Sequence, residues 1–440
     1  MKRLFAVCSA LLLAPALLCA QQKEQIIKTG YNFGPFPIIA FDADKGVQMG
    51  AMLNIYNFGD GSNYPNYNSK IEIQGSYFTK GSQMYIVNYD NKSLIPGVRW
   101  TVAGTFQKEN AMDFYGFNGY QTEYDYQAIN AGKKGESYQF TPFYKMKRTW
   151  FLVKSDFTGH ITDHLYWKAG YQANYIKTGA IDRGNINKGK KDEQKYPASM
   201  PTLYELYVEN GNISPDEAEG GFSSSLRAGL EFDTRDKEGA PSRGIWAAGH
   251  VNISPKWLGS KKDFYRYTLT WRHYVPIVKN DILTFAYRLN YEGTFGNKAP
   301  FYVLPFISVL GENLDKDGMG GYRTVRGILR DRVVGLDMAS YNAEFRWRFT
   351  SFRVGNQNIA LGLNAFSDGA MVTRQIEIVD KYTKEMPHIT VGAGFRFIMN
   401  ENFILCAEYG MPISNFYSKS SPLYKQDGPG AFYINTGFLF

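Results

Sequence analysis

The sequence predicts an all-β fold, a 16-stranded antiparallel barrel that crosses a membrane, on three observations. Segments of strict alternation recur along the chain, with aromatic residues on one face and charged residues on the other. Aromatic side chains are abundant, 32 Tyr, 31 Phe and 7 Trp beside 44 Gly, as expected of strands with interfacial aromatic girdles and frequent tight turns. Beyond residue 20, no stretch approaches the roughly 18 apolar residues of a spanning helix.

At the N-terminus, Lys2-Arg3 precedes an apolar run from Leu4 to Leu18, and Cys19-Ala20 precedes the polar Gln21-Gln22-Lys23. That is the three-part layout of a secretory signal peptide, with cleavage expected after Ala20. A lipid anchor on Cys19 would want a small residue where Leu18 stands. Cys8 and Cys19 then leave with the signal, and Cys406 alone forms no intrachain disulfide, cysteine zinc site or thiol redox pair. Residues 1–20 are thus read as signal peptide, 21–35 as a short periplasmic segment and 36–440 as the barrel.

Strands are expected at 36–43, 46–57, 67–79, 82–91, 96–107, 138–154, 163–177, 222–233, 243–254, 264–276, 281–293, 338–350, 357–368, 387–399, 402–412 and 431–440. Three of them define the design. In 264–272, Tyr265, Tyr267, Leu269 and Trp271 oppose Arg266, Thr268, Thr270 and Arg272. In 281–292, Leu283, Phe285, Tyr287, Leu289 and Tyr291 oppose Thr284, Ala286, Arg288, Asn290 and Glu292. In 340–349, Tyr341, Ala343, Phe345, Trp347 and Phe349 oppose Ser340, Asn342, Glu344, Arg346 and Arg348. A soluble sandwich would bury its apolar faces in a dry core, whereas a membrane barrel turns them to lipid and its charged faces to a wet lumen.

The segment 431–440 places Phe432, Ile434, Thr436, Phe438 and Phe440 on one face. Its closing aromatics, Phe438 and Phe440, resemble the C-terminal assembly signal of outer-membrane barrels. An even strand count leaves no exposed edge once the barrel closes. The long connections near 108–137, 178–221 and 294–337 fall on one side and short turns such as 278–280 and 400–402 on the other, the loops-outside, turns-inside arrangement of outer-membrane barrels.

The formal charge is +8, or +6 without Lys2 and Arg3, and suits solvated loops, a polar lumen and attraction to anionic lipid headgroups. Outer-membrane lipid is the expected surrounding; nucleic acid is not a partner of an exported chain, and no cofactor is expected. Enzymatic signals are thin. His160 and His164 lack a third ligand nearby, Gly221-Phe222-Ser223-Ser224-Ser225 lacks the closing glycine of a nucleophile elbow, and His273 reads as an interfacial histidine.

The loop 294–337 contains Gly320-Gly321-Tyr322-Arg323-Thr324-Val325-Arg326-Gly327-Ile328. Phosphate-binding glycine loops open a helix, whereas this one precedes β-patterned sequence. Two acids on the next strands, Glu344 and Asp368, share faces expected to line the lumen, Asp368 with Asn364 and Gly362. An arginine on an inward-folded loop meeting both carboxylates would hold that loop inside the barrel as a plug.

With these residues the chain resembles the outer-membrane assembly barrels typified by BamA and TamA, the bacterial surface antigen family. Val325-Arg326-Gly327-Ile328 looks like the Val-Arg-Gly-aromatic tip of that family's sixth external loop, with Ile328 in place of the aromatic. Ala343-Glu344-Phe345 and Phe366-Ser367-Asp368-Gly369 look like the acidic partners of the arginine. Asp233-Thr234-Arg235-Asp236, with Pro241-Ser242-Arg243-Gly244 close behind, resembles its periplasmic turn between strands eight and nine.

The resemblance implies a non-enzymatic barrel that inserts or translocates clients through a weak seam between its first and last strands while the arginine latch holds the loop. The family's N-terminal POTRA domains have no counterpart before the first expected strand, so separate periplasmic or outer-membrane proteins are the expected partners, for a client the sequence does not identify. The competing expectations are a passive channel with the same loop as constriction, and a non-transporting scaffold or receptor.

Overall fold

The computed structural model describes residues 26–42, 46–126, 129, 137–278, 281–296, 298–311, 318–378, 385–401 and 403–440. The expected signal peptide, 1–20, lies outside them. Sixteen strands form one antiparallel sheet in chain order. They are β1 Tyr31–Asp42, β2 Gly46–Asn57, β3 Ser69–Phe78, β4 Gln83–Ile95, β5 Val98–Asp113, β6 Lys145–His160, β7 Leu165–Gly179 and β8 Gly220–Asp233. The second half comprises β9 Gly244–Ser254, β10 Phe264–Val278, β11 Leu283–Thr294, β12 Asp337–Val354, β13 Gln357–Arg374, β14 His388–Met399, β15 Phe403–Pro412 and β16 Ala431–Thr436.

The alternation read in the sequence becomes sidedness. Leu269, Leu289 and Phe345 are about half exposed, at 53%, 51% and 48%, while Arg266, Arg288 and Glu344 on the opposite phase are at 4%, 4% and 1%. Charge inside and apolar side chains outside invert a soluble core, and a surface of this kind is stable only against lipid.

Ties between strands far apart in the order show the sheet curling back on itself. In the β8–β9 turn, Lys237 pairs with Asp281 at 2.6 Å and with Glu401 at 3.7 Å. The adjoining Glu238 reaches the opposite wall, to Lys92 at 2.8 Å and Arg99 at 3.5 Å. The ring of Phe36 on β1 lies 5.8 Å from that of Phe403 on β15, which brings the first strand round to the other end of the sheet.

On the long-loop side, Phe114, Phe117, Tyr204, Tyr207, Phe301 and Phe306 belong to one buried cluster that roofs the barrel. Phe114 meets Tyr204 and Tyr207 edge to face at 5.9 and 5.4 Å, a geometry that adds to their burial. The loops are therefore packed rather than free.

Three expectations need correction. The sheet starts at Tyr31, so residues 31–35 belong to β1 and not to a periplasmic segment. Residues 138–144, expected as strand, belong to the 3-10 stretch Ser137–Tyr144, and β6 starts at Lys145. Pro142 supplies no ladder donor there, and Tyr144 packs against Tyr115 and Tyr124 in the roof.

The third concerns the chain's last residues, because β16 ends at Thr436, whose side chain is not among those described. Gly437, at φ +82°, turns residues 438–440 into the lumen. Phe432 and Ile434 face outward at 63% and 66% exposure, but Phe440 is buried. The Arg346 guanidinium lies over the Phe438 and Phe440 rings, 4.3 and 4.9 Å from their centroids, and Arg396 lies 4.4 Å from that of Phe438. Cation–π contact with luminal arginines thus outcompetes four more residues of strand.

Candidate functional site

The connection from β11 to β12 enters the barrel, and luminal cations hold its descending limb by backbone carbonyls. Arg266 Nη1 donates to the carbonyls of Val303 and Phe306 at 2.7 and 2.9 Å, and Lys154 Nζ donates to that of Val309 at 2.7 Å. At the tip, bridges join Met319 to Val333 and Gly321 to Val325. The Thr324 hydroxyl lies within hydrogen-bond distance of the carbonyls of Gly318 and Gly320, and the Asn342 amide donates to the Thr324 carbonyl at 2.7 Å. Val325 and Ile328 are buried with Met319, Val333, Met338 and Val372, so an isoleucine at 328 is packed rather than exposed.

Arg326, fully buried, is the centre of the site. Its Nε and Nη2 donate to the two oxygens of Asp368 at 2.8 and 3.0 Å, and its backbone N–H also donates to Asp368 at 3.0 Å. Nη1 donates to Glu344 at 3.1 Å and to Glu408 at 2.8 Å. The guanidinium carbon lies 3.6 Å from the centroid of the Phe366 ring. The expected pair of carboxylates is therefore a trio.

Arg396 Nη2 donates to Glu344 at 3.0 Å and Glu408 at 3.2 Å, while Arg346 Nε donates to Glu344. Three guanidinium groups thus meet three carboxylates, a neutral set dry enough that every member depends on the others. The set spans four consecutive strands, as the register Asn364↔Gly394↔Glu408 places it.

Sequence reasoning grouped Val325, Arg326, Gly327, Glu344 and Asp368, and the structure brings them together. It missed Glu408 and Arg396. A readable signal for Glu408 was its phase, since Cys406, Glu408 and Gly410 alternate with outward Ala407 and Tyr409. The space for the site comes from glycines on the luminal phase of β14. A Cβ on Gly394 would lie 2.6 Å from Glu408 Cγ, and one on Gly392 would collide with the Phe366 ring.

The turn motif forms a compact unit at the other mouth of the barrel. Arg235 pairs with Asp233 at 2.7 Å and its guanidinium lies 5.8 Å from the Trp246 centroid. Asp236 accepts from the backbone N–H groups of Ser242 and Arg243 at 3.0 and 3.2 Å, and from the Ser242 hydroxyl at 2.6 Å. Arg243 itself is exposed, and Gly244 has φ +103° where the chain re-enters the sheet. Asp236→Ala is expected to destabilise the barrel by about 1–3 kcal/mol, read as a shifted urea midpoint.

A second clasp, unforeseen in the sequence, fastens the roof. The buried Arg332 donates to the carbonyls of Gly119, Thr122 and Gln426 at 2.6, 2.9 and 2.9 Å. Beside it, Asp427 meets His388 Nδ1 at 2.5 Å and accepts from the Tyr120 hydroxyl at 2.6 Å. Burial alone would raise the Asp427 carboxyl, but His388, Arg332 and the Tyr120 hydrogen bond together hold it below the ordinary carboxylate range. A lowered carboxyl contributes stability that is present above its unfolded value, about 3.9, and lost as pH falls through the folded value. Proteolysis of the 413–430 loop is therefore expected to stay slow down to about pH 4 and to speed up below it. Asp427→Asn is expected to cleave faster already at neutral pH.

Residues 66–440 match the Omp85 superfamily domain. No curated protein matches the chain. Among solved structures, BamA from Haemophilus ducreyi lacking POTRA domains 1–3 is similar at 15% identity and a TM-score of 0.50, over 93% of this chain and 70% of that one. CdiB from Escherichia coli is similar at 10% identity and a TM-score of 0.52, over 94% of this chain and 63% of that one. At such identities the two structures speak for the fold, and the domain match covers most of the chain: the protein belongs to the Omp85 superfamily of bacterial outer-membrane β-barrels.

Proposed function

We propose that this barrel takes part in inserting or translocating polypeptide clients at the outer membrane, together with separate periplasmic or outer-membrane partner proteins, after export directed by residues 1–20. The observation that carries the reading is where the latched loop ends. Arg326 donates to Glu408 on β15, and the Gly327 N–H donates to the Tyr433 hydroxyl on β16 at 3.0 Å. The plug is pinned to the last strand of the seam and to its neighbour.

That seam is short on one side. β16 pairs with β15 only from Ala431 to Thr436, whereas β1 pairs with β2 along its whole length. The sheet order puts β1 and β16 at its two ends, and a parting there offers backbone edges to which a client strand adds. The latch meanwhile keeps the loop in the lumen, so a sideways opening does not become a hole through the membrane. The work is mechanical and needs no cofactor.

Depletion of the protein, with quantitative proteomics of the outer membrane as the readout, tests this. Selective loss of particular outer-membrane proteins or exported products is the expected result. An unchanged outer-membrane proteome contradicts it.

A further inference from the structure

On the lipid-facing side of β5 to β7, at the end bearing the long loops, three lysines break the apolar pattern. Lys108 on β5 and Lys177 on β7 both stand opposite Thr149 of β6 in register. Strand spacing puts their Cα atoms about 10 Å apart, with Lys147 about 7 Å further along β6. All three side chains are exposed. Lys145, Lys154, Lys168, Lys237 and Lys262 are each within ion-pair distance of a carboxylate, but Lys108, Lys147 and Lys177 make no ion pair among the described residues.

Toward the middle of the barrel wall, the next row is aromatic, Phe106–Phe151–Tyr175, with Phe151 and Tyr175 at 47% and 44% exposure. Below it Gly104 and Ala173 flank Val153, leaving a shallow apolar trough. Lys147 and Lys177 also line an open hollow of about 530 Å³ beneath the helix Leu203–Glu209. Of the acids lining it, Glu205 is engaged by Arg183 at 2.9 Å, and neither Glu209 nor Glu219 pairs with a lysine among the described residues.

We propose that this triangle of ammonium groups binds the phosphoryl headgroup of an anionic membrane lipid, whose acyl chain lies along the aromatic row and trough below. A cation set for solubility alone has no reason to sit on the lipid-facing phase above a continuous apolar track. Lysine ammonium groups at headgroup height attract phosphate, and an apolar trough is filled by a chain, not by a soluble anion.

The test is native mass spectrometry of the full chain released from phosphatidylcholine nanodiscs doped with phosphatidylglycerol or with lipid A. Wild type is expected to retain a phosphoryl-lipid adduct. K108Q/K147Q/K177Q is expected to bind it roughly 100-fold more weakly, and each single variant about 5-fold more weakly. Removing competing charge with Glu209→Gln and Glu219→Gln is expected to tighten retention, and the loop variant K188Q/K191Q to leave it unchanged. Unchanged retention in the triple and single lysine variants overturns the proposal. So does equal retention of phosphatidylcholine, or displacement of the adduct by inorganic phosphate, which would assign the triangle to a soluble anion.

Discussion

Arg326→Ala is expected to lower the barrel's stability by about 3–5 kcal/mol, the usual result of removing one partner from a buried charged set. Asp368 would lose both side-chain donors and Glu408 one, leaving three carboxylates against Arg346 and Arg396. The contact with the Phe366 ring goes as well. Urea unfolding and heat-modified electrophoretic mobility read the loss. Arg326→Lys is expected to recover little, because an ammonium cannot span Asp368, Glu344 and Glu408 with a planar fork. A midpoint unchanged from wild type in both variants contradicts the latch.

Gly327→Ala is expected to be nearly as damaging, by roughly 2–5 kcal/mol, for two separate reasons. Gly327 has φ +94°, and a Cβ there would lie 2.6 Å from the carbonyl carbon of Gly410 and 2.8 Å from the Met411 nitrogen. Loop tip and β15 cross backbone to backbone, so neither can yield by a rotamer change. Gly355, at φ +54° in the β12–β13 turn, supplies the control, since a Cβ there meets nothing within 4 Å. Gly355→Ala is expected to cost only about 1–2 kcal/mol of backbone strain. Equal effects of the two substitutions in urea unfolding would mean that the crossing at Gly410 is loose.

Much of this was legible because a strand's period of two writes its sidedness into the sequence. Arg288, Glu344 and Arg346 alternate with Leu289, Phe345 and Trp347, so strand existence, lumen and lipid face could all be read together. Phase also placed Glu344 and Asp368 on one side, which made Arg326 their partner. What could not be read depends on distance between strands. Glu408 has the right phase, but nothing local says that its carboxylate reaches a loop whose arginine is 82 positions earlier. The room for the site is written as absence, in Gly392 and Gly394, which look like ordinary strand glycines until Phe366 and Glu408 are seen to fill their space.

The misplaced elements share a cause. Residues 138–144 and 437–440 carry β-prone aromatics, and local pattern favours strand for both. Tertiary partners prevail: Tyr144 joins the roof, and Phe438 and Phe440 lie against luminal arginines. Arg332 was illegible for a related reason, since its three acceptors are backbone carbonyls that no side-chain pattern announces.

The loop latched through Arg326 is expected to hold the lumen shut. Planar-bilayer recording of the purified wild-type barrel beside Arg326→Ala tests it most directly. The latch predicts a wild type that is closed apart from small, erratic events, and a variant with larger and longer openings. Large, steady conductance from the wild type, indistinguishable from the variant, would contradict it.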